Sequence, residues 1–341
     1  MNAPHPQHTH HARPSRRSRR LAALGAGLAL LTTACTTQSP SNDQAEQAAD
    51  DYPNRSISWI VPYAPGGGSD RQVRRLQPHM EKSLGKKINV VYKEGGDGAV
   101  GWQELANATA DGYTIANVVA PNVMQLEIDG DTGYESKEFE YVSWTETAPN
   151  VLVVAKNSKY KTIDDFVAAA KKNPGKLTVA GTGKTGKLSW AEMSEALGVR
   201  ASYVPVSAGV GDIVPDLKGG HIDAAVFGAS HAVEYEDNMH PLAITGTESV
   251  AALPDAPTLE SEGYGSAVLG TSWGVIAPPG TPKPIVDKLN KAVNDAMAKE
   301  KVQTALDEGG LTALSHTPKQ ATKYADDQRK QLVTVNDEVS K

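Results

Sequence analysis

Three glycine-rich stretches stand where an apolar run of strand length gives way to a helical pattern. Pro62-Tyr63-Ala64-Pro65-Gly66-Gly67-Gly68-Ser69-Asp70 follows the run Ile57–Val61. Glu94-Gly95-Gly96-Asp97-Gly98-Ala99-Val100-Gly101 follows Ile88–Tyr92, and Gly181-Thr182-Gly183-Lys184-Thr185-Gly186-Lys187 follows the run at 177–180. Glycine lets bare backbone approach whatever occupies such a corner. The helix that begins there offers N–H groups without intrahelical partners and a partial positive charge, worth about 0.3–1 kcal/mol to an anion. In α/β sheets ligands settle outside the carboxyl ends of the strands, where these corners lie. The chemistry indicated is recognition of a small anion by main-chain amides, with Ser69 or Asp70 expected to cap the first helix.

The third stretch nearly spells a phosphate-binding P-loop, but Leu188 stands where the magnesium-binding Ser or Thr would be, so a nucleotide is not expected. What remains is a corner of hydroxyls and two lysines suited to a carboxylate. No Gly-x-Ser-x-Gly or His-Glu-x-x-His occurs, and His79, His221, His231, His240 and His316 lack metal-ligand spacing. Neither a catalytic residue, a metal nor a cofactor is expected.

The corners are positioned by alternating strand and helix patterns. Further strands are expected at 114–119, 151–154, 201–204, 224–227, 242–245 and 273–277. A helix over 70–84 carries Val73, Leu76, Met80 and Leu84 on one stripe, contains Pro78 as a kink and stops at Gly85. Thr162 with Asp165 opens another over 162–172 in a capping-box pattern. Thr281 caps a helix over 282–299, and Thr317-Pro318 opens the last one. Such alternation predicts βαβ units and mainly parallel sheets.

The chain has 341 residues and a net charge of −6, which argues against nucleic acid as a partner. Five arginines between Arg13 and Arg20 precede an apolar stretch from Leu21 to Leu31, too short to span a bilayer, which takes roughly 20 residues. The pattern reads as a secretory signal over residues 1–34. Cys35 is the chain's single cysteine, so no disulfide forms within it. Leu31-Thr32-Thr33-Ala34-Cys35 resembles a bacterial lipobox, which makes Cys35 the expected lipid acceptor. Residues 35–52 are expected to form the lipidated cysteine and a polar, flexible tether.

Several segments in order resemble the extracytoplasmic binding proteins of tripartite tricarboxylate transporters, the Bug family. They are Val61-Pro62-Tyr63-Ala64-Pro65-Gly66-Gly67-Gly68-Ser69-Asp70, Asp111-Gly112-Tyr113-Thr114, Val204-Pro205 and Leu217-Lys218-Gly219-Gly220-His221-Ile222-Asp223. Pro257-Thr258-Leu259-Glu260-Ser261-Glu262-Gly263-Tyr264 and Trp273-Gly274-Val275-Ile276-Ala277-Pro278-Pro279-Gly280-Thr281-Pro282 complete the set. The resemblance implies an α/β, two-lobed type II periplasmic-binding fold, each lobe a mainly parallel sheet flanked by helices, with the ligand cleft between. Lobe one is expected at 53–150 plus 273–341 and lobe two at 151–272.

It also implies a non-enzymatic, monomeric receptor that binds a small organic carboxylate and delivers it to large and small integral-membrane permease subunits. The implied ligand contacts in lobe one are Tyr63, Pro65, Gly66, Gly67, Gly68, Ser69 and Asp70, with Gly95, Gly96, Asp97 and Gly98. In lobe two they are Thr182, Gly183, Lys184, Thr185, Val206, Ser207 and Asp212. The chain departs from the family pattern at Tyr92, where Asn is usual, and at Asp97, where a glycine is usual. Trp273 is open to two readings, lining the cleft or packing the hinge. The alternative function is a lipoprotein that senses or scavenges a ligand and signals its occupancy to a membrane partner.

Overall fold

The computed structural model describes residues 51–206, 210–246, 249–265, 267 and 269–339. The expected signal, Cys35, the tether up to Asp50 and Ser207 lie outside the described residues.

In chain order, β1 (Ile57–Val61), α1 (Gly68–Leu84), β2 (Ile88–Tyr92), α2 (Ala99–Ala106), β3 (Thr114–Ala120) and α3 (Asn122–Asp129) come first. The long strand β4 (Glu140–Ala155) leads into α4 (Ile163–Lys172), β5 (Thr178–Thr182), α5 (Gly183–Ala196), β6 (Ser202–Val206) and α6 (Val210–Gly219). Then follow β7 (Ala224–Gly228), α7 (Ala229–Glu234), β8 (Met239–Ile244) and β9 (Gly270–Ala277). The chain closes with α8 (Lys283–Met297), α9 (Glu300–Glu308), β10 (Thr312–Ala313) and α10 (Pro318–Val339).

The strands form one sheet in the order β2-β1-β3-β9-β4-β7-β5-β6. Its two flanks are parallel: β1 pairs with β2 and β3, and β5 pairs with β6 and β7. Its centre is antiparallel, because β9 and β4 run against their neighbours. The sheet is therefore parallel where βαβ units build it and mixed where long strands cross its middle.

Period-two alternation explains why the sheet is covered on both sides. Ile57, Trp59 and Val61 face one apolar cluster with Leu76, Met80 and Leu289, while Ile60 faces another with Trp102 and Trp144. In the second flank Val179, Ala224 and Val226 face one cluster, and Ala180, Ala225 and Phe227 face the opposite one. Strand β4 contributes to all four clusters: Val142, Trp144, then Leu152 with Val154, and Val151 with Val153. It is the spine that ties the two flanks together.

Several local expectations meet the structure directly. Gly85 closes α1 in the left-handed conformation at φ 66°. Thr162 and Asp165 form the capping box of α4. Pro78 sits at an exposed position inside α1, and the helix continues through it. The expected strand at 151–154 is the last part of the 16-residue β4, whose first part is broken up in sequence by Thr145, Glu146 and Thr147. Thr281 is not a cap: α8 begins after Pro282, and the Thr281 hydroxyl donates to the Pro278 carbonyl instead (2.8 Å).

Candidate functional site

A cavity of about 720 Å³ lies at the carboxyl ends of β1, β5 and β7, beside the crossing strands β4 and β9. Gly66, Gly67 and Gly68 wall it from the first corner, and Thr182, Thr185, Gly186 and Ser189 from the third. Ala148 and Asn150 of β4, Thr271 and Trp273 of β9, and Phe227 and Gly228 of β7 form its floor. Its far side consists of Ser230, His231, Val233 and Glu234 of α7 with Ala305, Gly309 and Leu311.

The N-terminus of α1 is uncapped. Gly67 is the cap residue and has no side chain to offer, so Ser69 and Asp70 do not cap the helix as expected. Both lie inside its first turn, and the Asp70 carboxylate turns back to accept from the Gly66 amide (2.8 Å). Asp70 is buried and also accepts from Arg74 Nε (2.9 Å) and the Tyr92 hydroxyl (2.6 Å). Burial works to raise its pKa, but those hydrogen bonds outweigh it and hold the carboxyl below its usual range. Asp70 thus uses its charge to hold the glycine loop, and Tyr92 helps hold Asp70.

The third corner contains no loop at all. Strand β5 passes into α5 at Gly183, with Thr182 as a cap residue whose side chain makes no capping bond. A Cβ on Gly181 or Gly186 would lie 2.9 or 2.6 Å from the Tyr203 hydroxyl, so glycine is what lets the strand and the helix close up here. Two helix N-termini, of α1 and α5, therefore open on one cavity with their first-turn amides free of side-chain caps.

Below the α1 corner runs a buried polar chain. Gln72 Nε2 donates to Thr145 Oγ1 (2.5 Å), Asn117 Nδ2 donates to Gln72 Oε1, and Thr145 Oγ1 donates to the Trp273 carbonyl (3.2 Å). It fixes α1 against β3, β4 and β9, and with them the Trp273 ring. A Cβ on Gly68 would lie 2.8 Å from that ring. Trp273 lines the cavity and also packs on an apolar cluster with Trp102 and Trp144. On the opposite wall Asn150 Nδ2 donates to Ser189 Oγ (2.8 Å) and to the Leu269 carbonyl (2.6 Å).

The charged wall residues are Arg71, Arg75, Glu146, His231 and Glu234. Arg75 donates to Glu146 Oε1, while Arg71, exposed one turn earlier, makes no ion pair among the described residues. Burial pushes the Glu146 pKa up, and Arg75 and Arg71 only partly oppose it. His231 Nδ1 lies 3.4 Å from Glu234 Oε2.

Of the sequence-named contacts, Gly66, Gly67, Gly68, Thr182 and Thr185 line the cavity. Tyr63, Pro65, Ser69, Asp70, Val206 and Asp212 do not; Asp212 is exposed on the first turn of α6, and Val206 packs on an apolar cluster. Gly95, Gly96, Asp97 and Gly98 form a separate turn in which all four residues have positive φ. The Tyr63 hydroxyl donates to the Asp97 carbonyl (3.0 Å), and its ring stands edge-on to Trp102. The side chain of Lys184, like Ser207, lies outside the described residues. Sequence reasoning missed Arg71, Arg75, Glu146, Asn150, Ser189 and His231. The available signal was the i, i+4 spacing of Arg71 and Arg75 in the helix that leaves the first corner.

The family model of the tripartite tricarboxylate transporter family receptor, TctC, matches residues 72–340. The protein of Pseudomonas sp. (strain P51) described as the UPF0065 protein in the tcbD-tcbE intergenic region is 31% identical over 299 residues, covering 86% of this chain and 87% of its own length. BugT of Bordetella pertussis is 30% identical over 291 residues, 83% of this chain and 89% of its own. Among solved structures, a ligand-free TctC solute-binding protein from Polaromonas matches with a TM-score of 0.74 at 25% identity, covering 84% of this chain and 99% of that one. MatC of Rhodopseudomonas palustris, solved with bound malate, matches with a TM-score of 0.68 at 26% identity, covering 83% and 99%. The fold is thus the two-lobed one of periplasmic binding proteins, and no helix among the described residues is long and apolar enough to cross a membrane. A chain matched over most of its length by the family model and by relatives of 30% identity or more makes this protein a member of the tripartite tricarboxylate transporter receptor family of extracytoplasmic solute-binding proteins.

Proposed function

We propose that the protein is a lipid-anchored receptor that captures a small organic carboxylate in this cavity and delivers it to the large and small subunits of a tripartite membrane permease. The observation that carries the reading is the opening of two uncapped helix N-termini, with the Arg71 guanidinium beside them, on one cavity. Each helix end contributes about 0.3–1 kcal/mol to an anion at the surface and up to ~2 kcal/mol in partly buried geometry. The ligand contacts are the amides of Gly67 and Gly68, next to Gly66 whose own amide is held by Asp70, with Thr182, Thr185 and Arg71.

Lobe one comprises residues 53–150 with 273–341, and lobe two 151–272, each supplying one of the helix ends. A ligand touching both lobes stabilises the closed cleft more than the open one, so binding drives closure. Catalysis is no part of this role: Arg75 is paired with Glu146 and His231 with Glu234, rather than set as nucleophile and base. Cys35 carries the lipid, the polar segment after it serves as tether, and the receptor works as a monomer.

The test is a thermal-shift screen of the mature domain with monocarboxylates, dicarboxylates and hydroxy acids, malate included. An acid at a hundred times its Kd adds about 2.7 kcal/mol and raises Tm visibly. Small-angle scattering at saturation of any binder should show compaction. A screen in which no carboxylate moves Tm contradicts the reading.

A further inference from the structure

The cavity is not uniformly positive, and the reason is one residue. Arg71 and Arg75 stand four apart on α1, so both guanidinium groups lie along the same helix face, and both residues line the cavity. They would make a pair of anion sites suited to the two ends of a dicarboxylate. Glu146 prevents this. It stands on β4 opposite Trp273 of β9, next to a shift in register between Trp144 and Glu146 that re-aims the strand's side chains. Its side chain is 2% exposed, and Oε1 receives the Arg75 guanidinium, itself only 15% exposed. Glu146 Oε2 and Arg75 Nε have no hydrogen-bond partner among the described residues.

A buried ion pair of this kind cancels its own field at short range. Among the described wall residues Arg71 and Arg75 stand against Glu146 and Glu234. The cation without an ion-pair partner among the described residues of the wall is Arg71, in the first turns of α1. Away from it the wall is largely apolar, with Phe227, Val233, Ala305 and Leu311.

We propose that Glu146 is the specificity-determining residue of the cavity: by occupying Arg75 it leaves a single anion pole, so the receptor selects acids with one carboxylate and a neutral far end over dicarboxylates of the same length. This rests on the receptor reading above. A second carboxylate would lose its water in a wall of low polarity where Arg75 is already neutralised by Glu146, so the site discriminates by an uncompensated desolvation cost rather than by added contacts.

Calorimetric titration with length-matched pairs tests it: succinate against 4-hydroxybutyrate, and adipate against 6-hydroxyhexanoate. The wild-type protein is expected to bind the hydroxy acid of a pair more tightly. Glu146→Gln, which keeps the shape and removes the charge, is expected to move the ratio toward the dicarboxylate by about tenfold or more, with the hydroxy acid little affected. Wild-type preference for the dicarboxylate in both pairs overturns the inference, and this arm needs no variant to fold. A folded Glu146→Gln protein with an unchanged ratio overturns it equally. Acids bound with the wrong ratio sink this inference and leave the receptor reading intact, whereas no acid bound by either protein sinks both.

Discussion

The first two glycine corners look alike in sequence and serve different masters in the structure. At the first, the backbone of Gly66, Gly67 and Gly68 approaches a cavity, and the approach is held from outside by Asp70, Tyr92 and Arg74. At the second, Gly95, Gly96, Asp97 and Gly98 bring their backbone up to protein instead: Tyr63 bonds the Asp97 carbonyl, and a Cβ on Gly98 would lie 2.8 Å from the Trp102 ring. Glycine runs report that main chain comes close to something. At both corners a Cβ would meet a tryptophan ring, Trp273 at Gly68 and Trp102 at Gly98, but only the first corner also walls the cavity.

If that contrast is real, equivalent substitutions in the two corners must fail in different ways. Gly68→Ala places a methyl against the Trp273 ring and shifts the wall of the cavity, so carboxylate binding should weaken by about a hundredfold, near 2.7 kcal/mol, while the melting point falls little. Gly98→Ala puts a side chain at φ 106° against Trp102. It should cost about 2–4 kcal/mol of stability and change Kd less than about twofold. Titration and thermal melts on both variants decide the matter; a Gly98→Ala protein that melts normally but has lost binding would reverse the assignment of the two corners.

The pin of the first corner gives the next largest effect. Asp70→Asn removes a buried charge that accepts three hydrogen bonds and should destabilise the protein by about 2 kcal/mol at neutral pH. Because the folded-state pKa of Asp70 lies below its ordinary value of 3.8, the wild-type advantage is full above that pH and is lost as pH falls through the lower folded value. Urea melts of both proteins from pH 7 downward should show the gap closing below about pH 3.8. A gap constant across this range would mean that Asp70 is held by something other than its charge.

The smallest effect belongs to the second corner. Asp97 is the one non-glycine residue among those described with positive φ, at 57°, and its carboxylate stands exposed outside the cavity. Asp97→Gly should leave carboxylate affinity within about twofold and raise stability slightly, by at most about 1 kcal/mol, as the left-handed strain is relieved. A change of ligand preference in this variant would bring the second corner back into the site.

Much of the scaffold was legible because local rules agree with the fold. Alternating apolar runs gave β1, β2, β3, β5 and β7 close to their observed bounds, and Gly85 and the Thr162–Asp165 box marked helix ends through chemistry that needs no tertiary partner. Strand β4 was only partly legible, since Thr145, Glu146, Thr147 and Asn150 interrupt its apolar pattern. Those residues are polar because they serve the site and the chain beneath it: Thr145 anchors Gln72 and Trp273, Glu146 holds Arg75, and Asn150 braces Ser189. Helix α9 is short and carries a single apolar stripe, Val302, Ala305 and Leu306, so its place beside the cavity was not legible either. The glycine corner that walls the cavity could be read from sequence; the charges beside it could not, because Arg71, Arg75 and Glu146 come together only when α1 is laid against β4.

The most direct measurement is a crystal structure of the mature domain with the tightest-binding acid from the screen. The account predicts a carboxylate whose oxygens accept from the amides of the first turn of α1 and of α5, within hydrogen-bond distance of Arg71. A carboxylate found at residues 95–98 instead, or in the cavity but turned away from both helix ends, would contradict it.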